Sequence, residues 1–379
     1  MNIIKQIKNL KNRTVLLRGD LDAPLKNGKV ADNFRLKRLL PTIEYLSDKS
    51  AKIIIIGHLG RPGGKFVKEL SVKPVAEELK RLLNIKNKKI RNLKLEIRNL
   101  EFKGFFIKEN ICLLENLRFY KGEESNNLKF AEKLAGLGDI FINDAFANSH
   151  RKHASIAGVA KYLPAFAGLN LMEEIRILSK AMSNPKRPAV AILGGAKLET
   201  KLPLITKMAE KFDYVLAGGK LSIEMSLKKQ KNKEARKQNI VLPIDYVGAG
   251  KFDIGEQTIK LYVEILKKAK TIIWNGPMGK YEDERYSRGT RAIAKAISLG
   301  NANTIVGGGD LIAALGQIKM LNKMDFVSTG GGAMLEFLEN GTLDGLKAIG
   351  FYKYSDRKTK TLENFGCRNE AMPRSCNEN

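Results

Sequence analysis

The sequence predicts an α/β protein whose parallel sheets carry helices on both faces. Short apolar runs recur along the chain: TVLLRGD (14–20), KIIIIGH (52–58), NICLLENLRF (110–119), DIFINDAF (139–146) and AVAILGG (189–195). YVLAGG (214–219), NIVLPID (239–245), TIIWNGP (271–277) and NTIVGGGD (303–310) continue the series. Each reads as a buried strand closed by Gly, Asp, Asn or a basic residue. Longer amphipathic stretches separate them, and strands alternating with helices are the mark of parallel sheets covered on both sides. With 379 residues and 43% hydrophobic content, the chain has material for two or three such domains.

In parallel sheets ligands bind beyond the carboxyl ends of the strands, so the polar residues closing these runs are the candidate site. Their chemistry changes between the halves. The first half carries Asp20, Asp22, His58, Arg61, Arg118 and Arg151, with Arg35 nearby, a donor set suited to carboxylate and phosphate. The second carries glycines: Gly194-Gly195, Gly218-Gly219, Gly276, Gly307-Gly308-Gly309 and Gly330-Gly331-Gly332. Glycine lets backbone approach a ligand closely, and the helix N-termini beyond such turns offer free N–H groups to phosphate. One half thus suits a small, multiply charged acid and the other a nucleotide. Between them GLNLMEEIRILSKAMSNPKRP (168–188) predicts a helix that ends before Pro185 and Pro188, a natural joint.

The net charge of +27 raises nucleic acid, anionic membrane or an acidic metabolite as partners. The lysines are spread over what read as polar helical faces, as in KNKKIRNLKLEIRNLEFKG (86–104) and KKQKNKEARKQ (228–238). Few aromatics accompany them and there is no RNA-recognition signature, so no nucleic acid is expected. No apolar run is long enough to cross a bilayer and the N-terminus lacks a signal-peptide core, which points to a cytoplasmic protein. Cys112, Cys367 and Cys376 are too few and too scattered for a disulfide framework or a four-ligand zinc site.

AILGGAKLETK (191–201) is the sharpest local signal. It reads as a strand turning into a helix, with Lys197 and Lys201 four residues apart on one face. The usual phosphate loop, GxxxxGK followed by Ser or Thr, is absent.

RGDLDAPLKNGKVADNFRLKRLLPTI, GHLGRP, LLENLRF, NDAFANSHRKHAS, GGAKLETK, WNGPMG, GGGD and STGGGA follow one another along the chain. In order and approximate spacing they resemble phosphoglycerate kinase, from about residue 14 to about residue 350. The resemblance implies two doubly wound, Rossmann-like α/β domains joined by a hinge helix, with a cleft between them. Residues 1–168 would bind phosphoglycerate, 169–186 form the hinge, and 187–352 bind the nucleotide. Residues 353–379 match nothing in it and read as a polar tail, disordered or partly packed on the first domain. The implied reaction moves the acyl phosphate of 1,3-bisphosphoglycerate to Mg-ADP, reversibly, giving 3-phosphoglycerate and ATP. A monomer with Mg2+ as cofactor is expected.

Carried over by motif, the resemblance assigns Asp20, Asp22, Arg35, His58, Arg61, Arg118 and Arg151 to the phosphoglycerate site. Arg61, Arg118 and Arg151 would hold the phosphate that stays, and Arg35 the group in flight. On the nucleotide side Lys197 would follow the transferring phosphate, Lys201 the α-phosphate, and Asn275 a phosphate. Gly195, Gly218, Pro277, Gly308 and Gly309 would line the site, Glu282 would meet the ribose, and Asp310 would hold Mg2+. Gly331 and Gly332 would aim a helix N-terminus at the moving group. The resemblance places neither His150 nor His153, and as a metal pair they lack a completing carboxylate nearby.

The chain departs from the family pattern at Asp22, where Asn is usual, and at Leu311, where Ser or Thr is usual. Lys251 and Lys280 stand where small or apolar residues are the rule near the base, and the segment between LPID and FDIG is short. These departures leave a catalytically weakened nucleotide-binding relative as an alternative, and the net charge leaves a basic nucleic-acid-binding protein. Transfer itself asks for in-line positioning and neutralised oxygens, with no general base. The helix near Glu173 and Glu174 and the STGGGA segment are the expected hinges.

Overall fold

The structure is a computed structural model, and it describes residues 1–85, 90–97, 100–195, 201–231 and 239–352. The first sheet comprises β1 (Thr14–Arg18), β2 (Lys52–Ile56), β3 (Arg91–Ile97), β4 (Leu100–Lys108), β5 (Ile111–Leu114), β6 (Ile140–Asn143) and β7 (Ala165–Ala167). Their order is β3-β4-β5-β2-β1-β6-β7. Pairing is parallel from β5 to β7 and antiparallel for β3 with β4 and β4 with β5.

The second sheet comprises β8 (Ala189–Leu193), β9 (Tyr214–Ala217), β10 (Ile240–Val241), β11 (Thr271–Asn275), β12 (Asn303–Gly307) and β13 (Phe326–Val327). It is wholly parallel in the order β10-β9-β8-β11-β12-β13. In each sheet the strand order reverses beside the first strand, between β1 and β6 and between β8 and β11. A doubly wound sheet opens its binding crevice at that point.

The strands are apolar throughout because both faces are covered. In the first sheet Val15, Leu17, Ile53 and Ile55 face a core built with α1 (Phe34–Asp48) and α2 (Lys73–Leu82). The alternate residues Leu16, Ile54, Ile56 and Phe141 face a second core, which holds Phe130 and Leu134 of α3 (Leu128–Ala135). That core does not stop at the first sheet. It runs through Leu171, Ile175 and Leu178 of α4 (Leu169–Ser183) to Ala191, Leu193 and Ile273 of the second sheet. It also takes in α5 (Leu202–Lys211) and the side chains of Ala333, Met334 and Phe337. The other face of the second sheet packs Val190, Ile192, Trp274 and Val306 against the helices that follow α6 (Gly219–Lys231). These are α7 (Glu256–Lys268), α8 (Arg288–Ser298) and α9 (Gly309–Gln317).

α10 (Gly331–Asn340) and α11 (Asp344–Ala348) close the described chain and return to the first half. Gly345 N–H donates to Ser149 O at 2.7 Å, and Asn2 N–H to Ile349 O at 3.4 Å.

Three sequence expectations are corrected. The described residues of the stretch 86–104 are not a polar helical face. They enter the antiparallel pair β3–β4, because Leu93, Leu95 and Ile97 alternate with polar residues at the period of a strand. The helix after AVAILGG starts at Leu202, so Lys201 is its N-cap, and Pro203 suits the first turn. Lys197 lies outside the described residues, as do 353–379 and the end of 228–238. Leu311 is fully buried among the helices of the second sheet, so its side chain faces the core and takes nothing from the phosphate region.

Candidate active site

The carboxyl ends of β1, β2, β5 and β6 gather the cations of the first half. Arg18, the last residue of β1, is fully buried and donates from Nη2 to Nδ1 of His58 at 2.9 Å. Its Nε donates to Ser155 Oγ at 2.9 Å, and that hydroxyl donates to Glu123 at 2.6 Å. Asn116 holds the turn after β5 by donating to Leu59 O and Leu70 O at 2.7 and 2.9 Å, and accepts from Arg118 N–H at 3.1 Å. Arg118, 1% exposed, donates from Nη1 to Gly60 O at 2.6 Å and lies 3.1 Å from Glu124 through Nε. Its Nη2 has no partner. Arg151, half-buried, donates to His150 Nε2 at 3.3 Å, while Arg61 is exposed.

Burial, then the charges of Arg18, Arg118 and Arg151, hold His58 well below its ordinary range. Burial and the same arginines push His153 down to about 3. Both imidazoles are therefore neutral at pH 7, and the positive charge of the cluster resides in guanidiniums. A buried guanidinium with an N–H to spare is suited to an anion.

Arg35 leaves α1 toward this cluster. Its Nη1 donates to Asp22 O at 2.8 Å, and its Nε lies 3.4 Å from Asp20. Asp20 is buried, which raises its pKa, and Arg35 opposes that rise. Asp22 is paired: it accepts from Gly60 N–H at 2.9 Å and lies 3.9 Å from Arg35 Nη1 and 4.0 Å from His58 Nε2. The extra carboxylate is thereby held by a backbone N–H, with the Arg35 guanidinium and the neutral His58 ring beside it.

In the second half the strand ends are glycine because backbone meets backbone there. A Cβ on Gly194 would stand 2.0 Å from Pro277 O, and one on Gly276 would stand 2.5 Å from Gly194 O. Lys201 Nζ donates to Gly194 O, near Gly195, and burial lowers its pKa to about 8 against the pull of Asp310. Asn275, at the end of β11, is 3% exposed, and its Nδ2 has no partner. A Cβ on Gly308 would come 3.2 Å from that nitrogen. Glu282 is exposed on the loop after Pro277, and Asp310 is exposed in the first turn of α9 with Gly309 before it. Lys251 and Lys280 lie over the rings of Tyr246 and Phe252, at 5.1 and 6.0 Å.

The two halves face each other across a cleft of about 370 Å³, with Asp22 and Arg35 on one side and Gly309, Ile312 and Gly331 on the other. The starts of α9 and α10 abut, since a Cβ on Gly331 would stand 2.7 Å from Gly308 Cα. Gly330 packs equally close to Ala147 of the first half, and a Cβ on Gly332 would lie 4.0 Å from His150 Nε2. Arg35 on one bank thus faces the glycine starts of α9 and α10 on the other.

Arg18, His150, His153 and Glu123 belong to this cluster but escape the motif-by-motif reading. Arg18 carries a usable signal, a charge ending the apolar run TVLL and followed directly by Gly-Asp. Among the described residues no group of three or more His, Cys, Asp or Glu side chains is placed to hold a metal ion.

A mixed sheet and a wholly parallel one, with anion donors at their crevices and a shared cleft, fit a phosphotransferase. The sequence profile of phosphoglycerate kinase matches residues 4–252 and 221–341. The chain belongs to the phosphoglycerate kinase family. It is 41% identical over 389 residues to the phosphoglycerate kinase of Dictyoglomus turgidum, covering 90% of this chain and 96% of the relative. The Moorella thermoacetica phosphoglycerate kinase is 40% identical over 382 residues, covering 90% and 97%. Among solved structures, phosphoglycerate kinase from Coxiella burnetii superposes with a TM-score of 0.76 at 36% identity, over 91% of this chain and 98% of that one. The Pyrococcus horikoshii OT3 enzyme gives 0.76 at 32%, over 92% and 98%.

Proposed function

We propose that this cleft moves the acyl phosphate of 1,3-bisphosphoglycerate to Mg-ADP, giving 3-phosphoglycerate and ATP, and runs the reverse reaction. The observation that carries it is the facing of Arg35 and the glycine-rich starts of α9 and α10 across one cleft. In the forward direction the bond from phosphorus to the acyl oxygen breaks, and a bond to the terminal oxygen of ADP forms. The leaving carboxylate and the attacking phosphate oxygen are both anionic, so no general base is needed.

Arg118, Arg151 and Arg61 hold the phosphate that stays, with neutral His58 and the Arg18 network fixing the wall behind it. Arg35 and the N–H groups of Gly331 and Gly332 meet the moving group's equatorial oxygens from opposite sides. Lys197 accompanies that group, and Lys201 holds the nucleotide with Asn275, Gly195, Gly218, Pro277, Gly308 and Gly309. Glu282 takes the ribose.

Asp310 suits Mg2+, because this ion asks for one or two carboxylates and takes its other oxygens from phosphates and water. Asp310 offers an exposed carboxylate close enough to Lys201 to raise its pKa against the effect of burial. Bound there, the ion would neutralise phosphate charge.

The domain reading is 1–168 and 187–352 about the linker 169–186, which contains α4, and one sheet in each part supports it. Both banks come from one chain, which supports a monomer, and no helix among the described residues is long and apolar enough to cross a membrane. A cytoplasmic setting supplies the nucleotide. A coupled assay for ATP formation from 1,3-bisphosphoglycerate and Mg-ADP tests the reading, and absence of turnover with ADP and GDP alike overturns it.

A further inference from the structure

Arg35 has a neighbour one helical turn along α1 that does not reach the cleft. Arg38 turns the other way, donating from Nε to Asn170 Oδ1 and from Nη2 to Glu173 Oε2, each at 2.8 Å. Both acceptors belong to the first turns of α4, the helix between the two sheets. The guanidinium carbon of Arg38 also lies 5.3 Å from the centroid of Phe326, the start of β13 at the edge of the second sheet. One side chain on a helix of the first half therefore touches both the joining helix and a strand of the second half.

The joining helix is itself anchored by two buried carboxyls. Asp144, just past β6, accepts from Leu171 N–H at 2.9 Å, and Glu174 accepts from Thr329 N–H at 2.7 Å and Thr329 Oγ1 at 2.9 Å. Thr42 of α1 and Asn170 of α4 also face Asp144, and Ser328 also faces Glu174. Arg38 is the cation that acts on both carboxyls.

We infer that Arg38 is a positioning residue for the transfer step: it links the helix that carries Arg35 to the joining helix and the second sheet, so that closing the cleft and placing Arg35 are one movement. Residues three apart on a helix share a rigid backbone, so a pull on Arg38 is felt at Arg35. A planar guanidinium meets an amide, a carboxylate and a ring face at once, and a lysine cannot reproduce that geometry. Arg38 touches neither ligand bank, and its effect runs through Arg35. The inference rests on the cleft reading above.

The test compares Arg38→Ala, Arg38→Lys and Glu173→Gln in the full-length enzyme. Arg38→Ala is expected to lower kcat about tenfold, in the range of residues that carry coupling between sites, with KM for ADP and for bisphosphoglycerate unchanged within about twofold. Arg38→Lys recovers only part of the loss, and the pair Arg38→Ala with Glu173→Gln is less than additive. Removing the charge also takes away a contribution, smaller than the hydrogen bonds of Thr42, Leu171 and Thr329, that lowers the Asp144 and Glu174 pKa values, so an acid limb of the kcat profile set by these carboxyls moves to higher pH. A merely structural role would lower Tm and leave kcat per folded molecule and the limb unmoved, which overturns the inference. A matching rise in KM overturns it too, because Arg38 would then belong to a ligand site. If Arg38→Ala does not fold, the lysine variant and Glu173→Gln give the same kcat and KM comparison. An inactive wild-type enzyme would fault the cleft reading instead, whereas a fully active Arg38→Ala faults only this inference.

Discussion

Arg18 donates to Nδ1 of His58 at 2.9 Å, and a guanidinium has no acceptor to offer in return. The His58 proton must therefore sit on Nε2, the nitrogen that faces Asp22 at 4.0 Å. The ring does not transfer protons; it is a neutral donor in a wall of fixed positive charge. Both His58 and His153 have lowered pKa values, so protonation costs stability only as pH falls below the unfolded-state value near 6.5. Imidazole resonances followed by NMR should show neither residue titrating between about pH 5 and pH 8. A midpoint near 6.5 for either would contradict the packing.

Arg35→Ala should lower turnover by roughly a thousandfold or more while leaving ADP affinity nearly intact, as for arginines that act on phosphoryl transition states. Its partners are Asp20 and Asp22, so the loss leaves a buried carboxyl without its cation. Steady-state kinetics beside a binding titration separates the two effects. Near-normal turnover sinks the assignment.

Lys201 is expected to make nucleotide affinity pH-dependent. Its pKa is lowered to about 8 by burial, so the free enzyme loses this charge as pH rises through that value. An incoming phosphate restores it, and binding should therefore take up a proton above about pH 8. Calorimetry in buffers of differing ionisation heat reads that proton directly. Lys201→Arg should abolish the uptake, and Lys201→Ala should raise KM for ADP.

Glu174 contributes a stability term of opposite slope to most carboxyls. Burial raises its pKa to about 7, so the folded state holds a proton that the unfolded chain has released. Its contribution is complete below the unfolded value near 4.5 and is lost as pH climbs to about 7. The span is worth about 3 kcal/mol. Denaturant unfolding of wild type and Glu174→Gln at pH 5 and pH 7.5 isolates it: the difference between the two proteins should change by about that much. No change would show that the carboxyl is solvated.

The parallel strands were legible because a strand buried on both faces is apolar without interruption, and TVLL, KIIII and AVAIL are. The hairpin of β3 and β4 was not, because its lysines mask an alternation of Leu93, Leu95 and Ile97 that only pairing makes plain. Arg35 and Arg118 could be named from motifs, whereas Glu123 could not. It serves the site through Ser155 and Arg18, at second and third remove, and no spacing along the chain encodes such a relay. Asp22 and Leu311 looked like losses by residue type. Their surroundings decide otherwise: one is paired with the protein's own donors, and the other never faces the cleft.

The core that runs from the first sheet through α4 into the second gives the joint the character of a greased bearing. Methyl and methylene groups attract without direction, so Leu171, Ile175 and Leu178 can trade one neighbour for another as the halves tilt, and no bond need be broken to do it. Resistance to bending should then come from the few directional contacts set around that bearing. Softening or stiffening those alone would retune how readily the two halves swing without touching the surfaces that hold the ligands.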